Sequence, residues 1–224
     1  MKKLQLLAVA ALLSAGTAVQ ASIITVESAS AALTSQSSAA AYRGAVDAAL
    51  AGASHVSTTV SSYNFISHQS LFGGNSNFAL KSTTSFGVSS ADAGLWQFRT
   101  GVDFGGGGAM FIDGLAVDFK SNDLWWAGNY SNAAQFFAAS LNLVAGNHTI
   151  SVYGFEGCCD GGMQQQYKKA GAEFKSFSSI DGLAPSAVPE PASLAIVIAG
   201  LAMLGLTRRR SATKATPSAS ALAT

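Results

Sequence analysis

The side chains able to do chemistry in this 224-residue chain fall into a few places. Phe155-Glu156-Gly157-Cys158-Cys159-Asp160-Gly161-Gly162 sets both cysteines between two carboxylates. Asp103 and Asp113 bracket a glycine run, Gly105 to Gly108, while Trp125-Trp126 stands among Asn122, Asp123, Asn129, Tyr130 and Asn132. Nucleophilic catalysis needs a nucleophile beside a base, and glycoside hydrolysis needs two convergent carboxylates. The three histidines, His55, His68 and His148, are scattered, and no Gly-x-Ser-x-Gly elbow occurs. Glu156 and Asp160 are close in sequence, so a secreted polysaccharide hydrolase using them is the enzymatic alternative; the leading expectation is a non-enzymatic chain with no catalytic residue. Two adjacent sulfurs without a matching Cys or His pair do not build a tetrahedral zinc cage. The glycine run lacks the Lys-Ser/Thr and helix start of a phosphate loop, and reads as a flexible or tightly turned connection.

Binding chemistry is better represented. Trp125 and Trp126 suit an aromatic platform for a sugar ring, but successive strand residues face opposite sides, so one indole belongs to the core and only the other can serve. Asp113, in Ile112-Asp113-Gly114, reads as a turn residue bonded to nearby backbone in preference to a ligand. Cysteines in an exported protein are expected to be oxidised. Adjacent Cα atoms lie about 3.8 Å apart across a trans peptide, short of the roughly 4.4–6.8 Å of ordinary disulfides. A vicinal bridge would therefore be strained and stiffen its turn, and intermolecular disulfides compete with it. The ligand-binding candidates are Asp103, Asp113, Trp125, Trp126 and Asp160.

These residues need elements to hold them. Glu27 to Gly52 is rich in Ala and Ser and predicts a helix from about Ala39 to Ala51, with Ser38 as N-cap and Gly52 as stop. From His55 onward β-branched and aromatic residues alternate with turn formers. Strands are expected at Val56–Val60, Tyr63–Ile66, Asn77–Leu80, Phe86–Val88, Leu95–Arg99 and Ala172–Phe177. Phe137, Ala139, Leu141 and Leu143 alternate with smaller or polar residues and lead through Ala145-Gly146-Asn147 to His148–Phe155, the pattern of a hairpin with one buried face. His148, in the turn, is expected to face solvent or to stabilise the turn. The fold class is mostly β, a single antiparallel β-sandwich or jelly roll with a short N-terminal helical segment.

The two ends carry delivery signals. Lys2 and Lys3, an apolar run from Leu4 to Leu13 and small residues at Val19 and Ala21 form a secretory signal peptide over residues 1–21. Near the other end Val188-Pro189-Glu190-Pro191 precedes a charge-free run, residues 192–207, and then Arg208-Arg209-Arg210. As a helix those 16 residues reach about 24 Å, enough for a transmembrane helix with thinning and snorkelling arginines that stay cytoplasmic. The expected organisation is signal peptide 1–21, Ala/Ser-rich segment 22–54, β-sandwich 55–185, sorting region 186–210 and polar tail 211–224. The total charge of +1 divides unevenly, because residues 22–188 hold seven basic and eleven acidic side chains, a net of −4. Such a domain excludes nucleic acid as a partner and is compatible with a cation.

The tail resembles the PEP-CTERM sorting signal of Gram-negative bacteria, which implies an exosortase-type partner, passage through the inner membrane and delivery to the cell surface or extracellular matrix. A permanently anchored single-pass protein is the alternative. Cys158-Cys159-Asp160-Gly161 resembles the Cys-Cys-x-Gly subgroup of such proteins. The series Trp96 to Arg99, Asp103-Phe104-Gly105, Met110 to Gly114 and Leu143 to Ile150 resembles the jelly-roll lectin domain named for a toxin protective antigen. In sugar-binding members paired aspartates hold Ca²⁺, which holds sugar hydroxyls; Asp103 matches the first aspartate and Phe104 stands at the second. The resemblances together imply an envelope or matrix protein contacting exopolysaccharide, with Ca²⁺ at Asp103 as the only cofactor to consider.

Overall fold

A computed structural model of the chain describes residues 21–185. The expected signal peptide 1–21, all but its last residue, and Val188 to Pro191, the apolar run 192–207, Arg208 to Arg210 and the polar tail lie outside the described residues. No helix among the described residues is long and apolar enough to cross a membrane.

Two antiparallel sheets face each other. The larger takes the order β2(Val56–Val60), β1(Ile23–Ser30), β4(Ser76–Val88), β11(Gly146–Cys158), β7(Gly108–Ile112), β8(Leu115–Lys120). The smaller runs β10(Phe136–Leu143), β5(Gly94–Gly101), β12(Met163–Lys169), β13(Lys175–Ser176), with β3(Asn64–Ile66) also on β12. A short ladder pairs β6(Asp103–Phe104) with β9(Leu124–Trp125). Period-two alternation turns Ile24, Val26, Leu80, Ile150 and Val152 of the large sheet toward Trp96, Phe98, Phe137 and Tyr167 of the small one, and all of these are buried. Each such side chain contributes about 1.5–3 kcal/mol by leaving water.

The predicted helix is present as α1(Ala39–Leu50), its Ser38 Oγ accepting from the Ala41 N–H at 3.2 Å. Tyr42, Val46 and Leu50 recur at four-residue spacing and bury against the outer face of the large sheet, where Ala29, Ala79 and Ala109 keep the approach close and Phe111, Tyr153 and Phe155 fill the flanks. The Tyr42 hydroxyl donates to the Gly106 carbonyl at 2.7 Å. A second helix of five residues that the sequence does not predict, α2(His68–Phe72), opens with a Ser67–Ser70 capping box.

Several expectations are corrected. The sandwich starts at Ile23 and not at residue 55, because β1 lies between β2 and β4. Asn77–Leu80 and Phe86–Val88 are the ends of one strand, β4, whose middle places Ser82 and Thr84 at buried inward positions. Phe136–Leu143 and Gly146–Cys158 do not form a hairpin: β10 pairs with β5 and β11 with β4 and β7, so Val144-Ala145 turns a corner between sheets. The closing strand shrinks from Ala172–Phe177 to Lys175–Ser176. Of the two expectations for the glycine run, the tightly turned one holds, with the Gly106 N–H donating to Phe155 O at 2.9 Å and the Gly107 N–H to Phe104 O at 2.8 Å. Asp181 gathers the two ends of the described chain: its Oδ1 accepts from the Ser22 and Leu183 N–H groups and its Oδ2 from Ser178, each at 3.0 Å.

Candidate functional site

The β6–β9 ladder sets Asp103 opposite Trp125 and Phe104 opposite Leu124. Opposed residues share a face, and neighbours along a strand take opposite faces. Phe104 and Leu124 accordingly enter the core, fully buried, while Asp103 and Trp125 look the other way. Two glycines make this possible. A methyl group at Gly154 would lie 2.0 Å from the Phe104 ring, and one at Gly101 would lie 2.2 Å from the indole of Trp126. Trp126 is thereby sunk among Phe65, Tyr130 and Gly101, 3% exposed, whereas Trp125 is 68% exposed. The expected division of the two indoles holds, and the platform candidate is Trp125.

Beside Trp125 opens a cleft of about 360 Å³ walled by Leu33, Asp103, Asp123, Glu156 and the cysteine pair. Cys158 and Cys159 form the vicinal disulfide, and their peptide bond is cis, with Cα atoms 3.1 Å apart where a trans peptide was assumed. The loop beyond them passes close to Asp103, since a methyl at Gly161 would fall 2.4 Å from its Oδ2. Glu156, at the end of β11, is buried and spends both oxygens on backbone: Oε2 accepts from the Gly105 N–H at 2.5 Å and Oε1 from the Cys158 N–H at 2.6 Å. Asp160 Oδ2 accepts from the Gln69 N–H of α2 at 2.8 Å. The two carboxylates of the hydrolase alternative are thus occupied as backbone acceptors. Asp103 differs, for burial first and then the charges of Glu156, Asp123 and Asp160 push its carboxyl up to about 7.

Asp113 lies elsewhere. It adopts φ 51°, accepts from the Thr149 N–H at 2.8 Å and meets His148 Nδ1 at 2.7 Å. His148 is near the start of β11 and the cleft is at its end, roughly 30 Å along the strand. His148 is buried and not solvent-facing, with Nε2 2.8 Å from the Val144 carbonyl at the corner it stabilises. His68 is packed between Ser28 Oγ and the Gly74 carbonyl, and His55 meets Glu27 at 3.3 Å. The structure therefore brings together Asp103, Trp125 and the cysteines, with Asp160 at the margin, and leaves Asp113 and Trp126 out. Leu33, Asp123 and Glu156 are not among the ligand candidates; the excess of acid around the tryptophans and cysteines is the one signal for the two carboxylates, and Leu33 has none.

The residues present do not fit calcium. Ca²⁺ takes about six to eight oxygens. Phe104 occupies the core, Glu156 and Asp160 are committed to backbone, and among the described residues no group of three or more His, Cys, Asp or Glu is placed to hold a metal ion.

Residues 187–211 match the PEP-CTERM protein-sorting motif. The chain carries the sorting signal of an exosortase-sorted exported protein. No curated protein matches it. Among solved structures it is similar to a PA14 sugar-binding domain from an RTX adhesin, at 13% identity over 75% of this chain and 99% of that one, TM-score 0.47. It is similar also to the PA14 domain of an antifreeze protein, at 13% identity over 73% and 89%, TM-score 0.45. The epithelial adhesin 9 A domain from Candida glabrata, in complex with Galb1-3GlcNAc, is 10% identical over 74% and 88%, TM-score 0.48.

Proposed function

We propose that the chain is a non-catalytic protein of the cell surface or extracellular matrix, sorted through its C-terminal motif, whose β-sandwich contacts exopolysaccharide through the Trp125 cleft. The observation that carries this is the cross-strand pair of an exposed indole and a carboxyl facing one cleft. An aromatic face takes the apolar side of a sugar ring, and polar groups beside it fix the ring's hydroxyls. The non-catalytic part is supported by the backbone duties of Glu156 and Asp160 and by the engaged histidines. Asp103 does the contacting directly, without an intervening calcium ion.

The test is a glycan array followed by calorimetry on the native protein with and without Ca²⁺. Binding to at least one polysaccharide class is expected, unchanged by Ca²⁺ and weakened on the order of tenfold or more by Trp125→Ala, the weight of a lost ring stack. Binding that is absent throughout, or unaffected in Trp125→Ala, overturns the reading. Polysaccharide turnover lost in Glu156→Gln or Asp160→Asn would establish the hydrolase instead.

A further inference from the structure

Charge decides what the cleft accepts, and the inference rests on the carbohydrate-contact reading above. A carboxyl nine-tenths buried ordinarily has a partner, since an unpaired buried charge is costly. Asp103 is 9% exposed, lines the cleft, and its carboxyl has no hydrogen-bond or ion-pair partner among the described residues. Three other acids lie near enough to act on it: Glu156 on β11, Asp123 in the β8–β9 connection and Asp160 in the loop after the cysteines. Among the described residues no Lys, Arg or His lines the cleft. Burial first and then these acids disfavour the ionised carboxyl, and a positive ligand offsets both.

A bare metal ion does not suit this arrangement, because the carboxylates do not converge. A positive group carried on a ring does. An ammonium offers three donors to the oxygens of Asp103 while its ring lies against Trp125, where the indole face adds a cation–π attraction. The geometry points to a carbohydrate bearing free amino groups, a de-N-acetylated hexosamine unit, as the occupant of the Asp103–Trp125 cleft. N-acetylated sugars bring a neutral amide to Asp103 in place of an ammonium; acidic sugars meet three lining carboxyls, Asp103, Asp123 and Glu156.

Calorimetry on the native protein near neutral pH compares a glucosamine oligomer, an N-acetylglucosamine oligomer of equal length and a lysine oligomer of equal charge. The amino sugar is expected to bind on the order of tenfold more tightly than the N-acetylated one, the weight of one charge-assisted hydrogen bond. Asp103→Asn, checked for an unchanged fold by its thermal melt, is expected to erase that preference, and Trp125→Ala to weaken both sugars. Equal affinities, a preference surviving Asp103→Asn, or a lysine oligomer binding as tightly without dependence on Trp125 overturns the amino-sugar assignment. If the N-acetylated oligomer binds through Trp125 without any preference, the carbohydrate reading stands and the amino-sugar assignment falls. Failure of every glycan overturns both.

Discussion

Asp103 ties stability to pH in a direction opposite to that of a salt-bridged carboxylate. Its carboxyl is raised from about 3.9 in an unfolded chain to about 7 when folded. Between those values the folded state keeps a proton that the unfolded state has lost, so stability declines as pH rises through the window and stays lower above it. Asp103→Asn is expected to match the parent near the acid end and to exceed it on the alkaline side by on the order of 1 kcal/mol, a modest figure because the cleft admits solvent. That corresponds to roughly 2–4 °C in melting temperature. Thermal melts over a pH series check it, and a variant whose melting temperature falls in parallel with the parent's contradicts the assignment. At this scale the sequence showed which residue types were unusual but not which of them meet. Asp103 and Trp125 are 22 positions apart and become partners only through a two-residue ladder. Conversely, Glu156 and Asp160 stand close together in the chain yet each answers to a different stretch of backbone.

The elements were legible where one local signal sufficed. Ser38 as a cap and the four-residue spacing of Tyr42, Val46 and Leu50 define α1, and Ser38→Ala is expected to cost about 1 kcal/mol, read from denaturant midpoints at constant slope. They were illegible where distant partners override composition. The middle of β4 looks polar because Ser82 and Thr84 face inward, and the Tyr63 hydroxyl across the sandwich donates to Ser82 Oγ at 2.8 Å. The β10–β11 connection has hairpin chemistry, but its strands find better partners in separate sheets. The β6–β9 ladder depends on an aromatic that sits over a glycine of another strand. Phe104→Ala is expected to cost roughly 3–5 kcal/mol by opening a cavity beneath the ladder. Phe104→Asp, which recreates an aspartate pair, is expected to unfold the protein before it gains calcium affinity, since it buries an unpaired charge. Urea titrations with and without Ca²⁺ measure both; a stable, calcium-stabilised Phe104→Asp protein would refute this view of the ladder.

For the whole molecule, the near-neutral total conceals a division of labour between an acidic sandwich and basic ends. The matched motif at 187–211 makes processing testable independently of ligand binding. Replacing Pro189, Glu190 and Pro191 by Ala is expected to leave a heavier, membrane-retained species in intact-mass and fractionation measurements. An unaltered mass and location would favour permanent anchorage. Asp181 gives this arrangement a spatial meaning. It joins Ser22 to Leu183 beside the end of β4 that pairs Ser85 with Ile23, whereas the disulfide lies at the Ser76 end of the same 13-residue strand. The sandwich thus has two poles, one where the two ends of the described chain meet and one where the indole and the acids gather. The proposed cleft lies at the far end of β4 from the point where the described chain's two ends meet, so removing residues 1–21 or the matched motif is expected to leave glycan affinity unchanged in calorimetry.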